Sequence, residues 1–185
     1  MLLSQIPNIL TLMRIAACPV LVVLLHNGNY EFALMLFVAA GITDGLDGYI
    51  AKRFNCQTGL GAILDPIADK LLIGSAYIML AILGDIPFWL LILVMFRDLV
   101  IVVGYLILVM MGNDVPMSPT YSSKINTVIQ ISLMVSVLLE KSGLEFIAPL
   151  SGLLVFGVLL TTIISGLQYV WFWGIRHEFN DQKKS

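Results

Sequence analysis

Residues 31–53, EFALMLFVAAGITDGLDGYIAKR, and residues 61–83, GAILDPIADKLLIGSAYIMLAIL, decide how this chain is read. Each is a mostly apolar stretch as long as a membrane-crossing helix needs, roughly 20 residues. Each also carries carboxylates at helical spacing: Asp44 and Asp47, then Asp65 and Asp69. The pattern repeats outward along the chain. Gly, Pro and Asn at His26–Asn29, Phe54–Gly59, Gly84–Pro87, Gly112–Ser122 and Glu140–Gly143 punctuate it. They predict spans at about 8–26, 31–53, 61–83, 88–111, 124–140 and 146–172. The expectation is an all-α, polytopic membrane protein with six transmembrane helices. Residues 1–176 would form one membrane domain, with a short polar tail at 177–185.

Composition agrees. Of 185 residues, 59% are hydrophobic and 12% charged, against about 25% charged in a soluble domain, and the mean hydropathy is +0.96. Too little polar surface exists to clothe a water-soluble globule. That excludes a soluble enzyme and a disordered linker. A net charge of −2 with 10 Lys+Arg excludes a nucleic-acid reader. Cys18 and Cys56 form no CxxC pattern and suggest no disulfide. The apolar run Ile15–Leu25 follows Arg14 and precedes no small-residue cleavage site, so it reads as a retained span. Lys52, Arg53, Lys124, Arg176, Lys183 and Lys184 share one side if both termini do, and Lys141 takes the other. The positive-inside rule then puts both termini and the acidic end of the second and third spans in the cytoplasm, with a bacterial inner membrane as the expected home.

Asp44, Asp47, Asp65, Asp69, Asp98, Lys70 and Arg97 all lie inside apolar segments. One ionised Asp at mid-membrane costs about 2.5–3.5 kcal/mol on insertion scales. Structural pairing of neighbours such as Asp69 and Lys70 is poor, because adjacent residues point about 100° apart on a helix. Asp44 and Asp47, three apart, share one face, as do Asp65 and Asp69, four apart. Two antiparallel helices would thus present four carboxylates at similar depth. Such a box demands cations, and carboxylate oxygens suit magnesium, calcium or manganese rather than zinc. Two metals about 3.5–4 Å apart, clamping a phosphoryl group, is the chemistry it suits. Gly41, Gly45, Gly48, Gly59 and Gly61 surround the box, where missing side chains either let helices pack closely or leave room for a headgroup.

Written out, residues 44–69 are Asp44-x2-Asp47-Gly48-x2-Ala51-Lys52-x8-Gly61-x3-Asp65-x3-Asp69. This resembles the signature of the CDP-alcohol phosphotransferases, DxxDGxxARx8GxxxDxxxD, with every spacing kept and Lys52 in place of the family's Arg. Lysine lacks the bidentate fork of arginine. The opening Ile6-Pro7-Asn8-Ile9-Leu10-Thr11-Leu12-Met13-Arg14 is similar to the start of the family's anionic-phospholipid synthases. The resemblance implies two divalent cations, magnesium or manganese, held by Asp44, Asp47 and Asp65, with Asp69 as the general base that also touches the metal site. It implies a CDP pocket lined by Gly48, Ala51, Lys52 and Gly61, with Asn8 and Thr11 nearby. The donor it implies is CDP-diacylglycerol, the leaving group CMP, and the assembly a homodimer.

Arg97, Asp98, Lys124 and Asn126 are the candidate acceptor-binding residues. Members that use glycerol 3-phosphate typically carry Arg-Glu in this span and Gly-Lys-x-Lys-Thr before the fifth, where this chain has Arg97-Asp98 and Ser123-Lys124-Ile125-Asn126-Thr127. The stretch from Pro119 to Gln130 resembles the cardiolipin synthases instead. Asn126 removes one positive charge, which suits the singly charged diester of phosphatidylglycerol over a phosphomonoester. Arg97 could equally form an ion pair with an aspartate, and Lys124 could anchor a cytoplasmic boundary. A cation or proton transporter would also bury carboxylates, but it usually spreads them over several helices. A structural scaffold would have no use for four such costly aspartates, and Asp47→Asn separates it from an enzyme, which loses CMP release with its fold intact, while a scaffold is indifferent or more stable.

Overall fold

The computed structural model describes residues 6–53, 59–110 and 121–181, and every regular element among them is helical. The order is α1 (Ile6–His26), α2 (Tyr30–Arg53), α3 (Gly59–Leu83), α4 (Phe88–Met110), α5 (Tyr121–Lys141), a 3-10 turn (Glu145–Ile147) and α6 (Ala148–Asp181). Six helices match the six expected segments. Their ends differ by a few residues, except that α6 continues through Asp181. Three stretches of the described residues are long and apolar enough to cross a membrane by length and composition: Ile9–His26, Tyr121–Lys141 and Glu145–Tyr169.

The chain divides into two compact units. The first comprises Met1–Ile86 with Met134–Ala148, and the second Pro87–Leu133 with Pro149–Ser185.

In the first unit α1 packs on both α2 and α3. Its inner stripe runs Thr11, Arg14, Cys18, Leu21, Leu25, a 3-4-3-4 spacing that keeps one face toward its neighbours. Leu21 and Leu25 are buried there, and so are Thr11 and Arg14. One seam is therefore apolar at its C-terminal end and polar at its N-terminal end. Ala33, Phe37 and Ala40 of α2, with Ala68, Leu72, Ala76 and Leu80 of α3, are buried at matching three- and four-residue intervals. The alanines let helix backbones approach, which is how membrane helices gain packing energy without a hydrophobic drive. Tight turns close the helices. Gly28 (φ 72°) and Gly84 (φ 80°) take the left-handed conformation that terminates a helix without a Cβ penalty. The next N–H in each case returns to the helix: Asn29 to the Leu24 carbonyl at 2.9 Å and Asp85 to the Leu80 carbonyl at 2.9 Å.

Asp85, in the turn after α3 with its side chain 6% exposed, ties this end together. It accepts from the Tyr30 hydroxyl at 2.7 Å and pairs with Lys141 at 2.8 Å. Burial, then the neighbouring Asp85 carboxylate, push the Tyr30 hydroxyl up to about 12, so it remains a donor at any working pH. Tyr30 stands 14 residues before Asp44 on α2, about 21 Å along the helix. This staple is thus remote from the carboxylates.

In the second unit α5 and α6 approach closely at Gly157, where a Cβ would lie 3.3 Å from Ile129. Outward-facing positions are strongly apolar, including Phe96, Leu153, Phe156, Leu167 and Trp171. An apolar exterior of this extent is foreign to soluble monomers and suits a lipid surround.

Candidate active site

The N-terminal half of the α1 seam meets the carboxylates of α2 and α3. Arg14 Nη1 lies 2.9 Å from Asp44 Oδ1 and 3.1 Å from Asp69 Oδ1. One nitrogen of α1 thus holds a carboxylate from each neighbouring helix. Three residues earlier, the Thr11 hydroxyl donates to Asp65 Oδ1. Asp44 of α2 and Asp69 of α3 thus meet at Arg14, and Asp65 is held from the same face of α1. The basis is helical: Thr11 and Arg14 sit one turn apart on one face of α1, and Asp65 and Asp69 one turn apart on one face of α3.

Exposure is graded across the group. The Arg14 side chain is 1% exposed, whereas those of Asp44 and Asp69 are 38% and 41% exposed. The guanidinium forms the floor, and the carboxylates face the open side. Gly41 and Gly45 flank Asp44, and a Cβ at either would meet nothing within 4 Å. These two glycines are not needed for helix contact and border open space instead. A mostly apolar groove of about 150 Å³ between α1 and α2 is lined by Leu10, Met13, Arg14, Leu36, Ala40 and Thr43.

Asp47, Gly48, Ala51 and Lys52 fall on α2, Gly61 on α3 and Asn8 on α1, but their side chains lie outside the described residues. Among the described residues no three carboxylate, His or Cys groups are arranged to hold one ion. The donor set nonetheless fits an oxygen-preferring divalent cation. Asp44 and Asp69 already share a cation, the Arg14 guanidinium, at hydrogen-bonding distance.

The second unit holds a separate polar cluster built around Arg97, which is buried on α4. Its Nη1 pairs with Asp98 at 2.6 Å, and its Nη2 donates to the hydroxyls of Ser123 on α5 and Ser165 on α6. Tyr169 places its ring centroid 5.9 Å from the guanidinium carbon, within cation–π range. Adjacent residues do pair here, because the long arginine side chain folds back over the angle that separates successive Cβ atoms. Asn126 is fully buried, and its Oδ1 accepts from Thr161 at 2.8 Å and Thr162 at 3.0 Å. Lys124 is exposed. Of the four candidate acceptor residues, Arg97 and Asp98 are thus in direct contact, Asn126 serves the α5–α6 seam, and Lys124 has no described contact with them.

The sequence names the aspartates, but Arg14 enters it only as the flank of an apolar run and the last residue of the opening motif, with no role assigned. The signal was present: Arg14 falls in register with Leu21 and Leu25, on the face that must be buried. Ser123, Ser165 and Tyr169 were also missed, and lone hydroxyl residues in apolar helices offer no comparable sequence signal.

Comparison with known proteins adds an independent line. A family model described as CDP-alcohol phosphatidyltransferase matches residues 4–166. The chain is 36% identical over 174 residues to a "Probable phosphatidylglycerophosphate synthase" of Mycobacterium tuberculosis, covering 91% of this chain and 81% of the relative. It is 33% identical over 172 residues to a "CDP-diacylglycerol--glycerol-3-phosphate 3-phosphatidyltransferase" of Rickettsia typhi, covering 90% and 96%. A "Probable cardiolipin synthase (CMP-forming)" of Drosophila melanogaster is 33% identical over 192 residues, covering 91% of this chain and 57% of the relative.

Proposed function

The chain belongs to the CDP-alcohol phosphatidyltransferase family, and from that premise we propose that it transfers the phosphatidyl group of CDP-diacylglycerol to phosphatidylglycerol, giving cardiolipin and CMP. The observation that carries the choice of acceptor is the charge of the Arg97 cluster. Asp98 neutralises Arg97 at 2.6 Å. Position 126 is an uncharged, fully buried amide that accepts from Thr161 and Thr162, where a lysine would be a buried charge. A cluster so poor in net positive charge suits a singly charged diester better than a phosphomonoester. Glycerol 3-phosphate is the second reading, favoured by the names of the Mycobacterium and Rickettsia relatives.

In the proposed reaction the acceptor hydroxyl oxygen attacks the phosphorus that bears diacylglycerol. The bond from that phosphorus to the CMP oxygen breaks, and the acceptor proton passes to Asp69. Arg14, at 3.1 Å from Asp69 Oδ1, orients that carboxylate, and Thr11 orients Asp65. Positioning of this kind is most of what phosphoryl transfer asks of a protein. Asp44, Asp47, Asp65 and Asp69 are the residues that would hold two magnesium or manganese ions, which when bound supply charge stabilisation on the phosphoryl and CMP oxygens. Gly48, Ala51, Lys52 and Gly61 would line the CDP pocket, with Asn8 and Thr11 nearby and Gly41 and Gly45 leaving space beside it. Residues 1–176 are proposed as one membrane domain with six crossings. Both termini and the acidic site would face the cytoplasm of a bacterial inner membrane, and by family resemblance the enzyme would be a homodimer.

A competition assay tests this reading. Detergent-purified protein receives CDP-diacylglycerol, magnesium or manganese, and equal phosphatidylglycerol and glycerol 3-phosphate, with a chelator arm. Cardiolipin as the main product by mass supports the proposal. Phosphatidylglycerophosphate as the main product replaces the acceptor, and CMP release undiminished by chelator removes the metals.

A further inference from the structure

Arg14 poses a question that the proposed reaction leaves open. It is a permanently charged side chain inside one of the most apolar stretches of the chain, Ile9–His26. Its guanidinium is withdrawn from solvent behind two carboxylates that face the open side. A residue meant to grip a substrate phosphate would sit on the open side, with its donors outward. Arg14 instead directs its Nη1 at Oδ1 of Asp44 and Oδ1 of Asp69. It contacts, from α1, the helices that carry the acidic signature, and it touches the residues assigned to the metals.

Charge explains the arrangement. Among the described residues Asp44, Asp65 and Asp69 carry negative charge at the polar end of the α1 seam, and Arg14 is the cation in contact with two of them. Without a cation, the α2 and α3 carboxylates repel each other at the seam where these helices meet α1. With Arg14 the repulsion is partly cancelled, yet a net negative charge remains to attract a divalent ion. We propose that Arg14 is a positioning residue, a resident counter-cation that holds Asp44 and Asp69 together across three helices while the site is metal-free. The inference rests on the reading of these aspartates as metal ligands. Its distinctive content is redundancy: guanidinium and metal perform part of the same neutralisation, so the fold leans harder on metal when Arg14 is gone.

The test is a cycle of variant against metal, read by thermal unfolding of the full detergent-solubilised chain in chelator and in millimolar Mn²⁺. Bound Mn²⁺ is followed separately by electron paramagnetic resonance. Arg14→Gln removes the charge, and Arg14→Lys keeps it. Mn²⁺ stabilises wild type by mass action. Arg14→Gln is expected to lose stability in chelator and to gain more from Mn²⁺ than wild type does, by about 4 °C or more, while Arg14→Lys gains about as much as wild type. Equal Mn²⁺ gains in wild type and Arg14→Gln overturn the inference, since Arg14 would then be ordinary packing. A gain in Arg14→Lys that exceeds the wild-type gain by about 4 °C or more overturns it too, and this comparison with wild type remains available if Arg14→Gln does not fold. If wild type shows neither bound Mn²⁺ nor stabilisation, the metal reading itself falls and the inference falls with it.

Discussion

Thr11→Val isolates one hydrogen bond at the acidic site. Thr11 is fully buried on the α1 seam, and its hydroxyl donates to Asp65 Oδ1. Valine has nearly the same shape, so the packing against α3 is retained while the donor is lost. A hydrogen bond to a charged acceptor contributes about 1.5–3 kcal/mol. At about 1.4 kcal/mol per tenfold, and with the whole loss felt in the transition state, kcat/KM should fall about 10- to 150-fold. The assay is CMP release from CDP-diacylglycerol in mixed micelles with saturating acceptor. Thr11→Ser, which restores the hydroxyl, serves as the partner variant and should stay near wild type. Helix content and gel-filtration behaviour of both variants establish that they fold. Activity of Thr11→Val near the wild-type level would refute the idea that Thr11 sets the orientation of Asp65. Equal losses in Thr11→Val and Thr11→Ser would refute it differently, by locating the effect in packing rather than in the hydrogen bond.

Other perturbations address other parts of the molecule. Asp69→Asn preserves shape and can still accept from Arg14, so CMP release should drop about 10²- to 10⁴-fold with the fold intact; a loss of only a few-fold would remove Asp69 from the role of base. In Gly45→Ala the new methyl meets no neighbour and the helix gains propensity, so melting should hold or rise while KM for CDP-diacylglycerol increases. An unchanged KM would show that the substrate does not use that space. Asp85→Asn weakens the staple to Tyr30 and Lys141. Because Lys141 is 40% exposed, screening limits the loss to about 1–2 kcal/mol. Scanning calorimetry should show a lowering of about 2–8 °C, with activity at low temperature unchanged, and reduced activity there would contradict the remoteness of that end.

Much of this protein was legible before any coordinates. Helical segmentation follows from composition and punctuation, because a chain this apolar must satisfy its backbone within each segment. Gly28 and Gly84 mark turns that only a residue without a Cβ makes cheaply. The paired aspartates are legible for a similar reason: spacings of three and four place side chains on one helix face whatever the neighbours do. Partner choice is a different matter. Nothing local to Arg14 says that its guanidinium reaches both Asp44 and Asp69, which follow it by 30 and 55 positions in the sequence. Nor does Asn126 announce that two threonines of α6 take its carbonyl oxygen. Periodicity tells which face of a helix turns inward, and it is silent on which helix waits there. The sequence alone therefore determined the helical segments, their glycine turns and the spacing that puts the carboxylates of each pair on one helix face. Only the tertiary structure decided that α1 supplies the cation beneath them, because that contact exists only once three distant segments pack side by side.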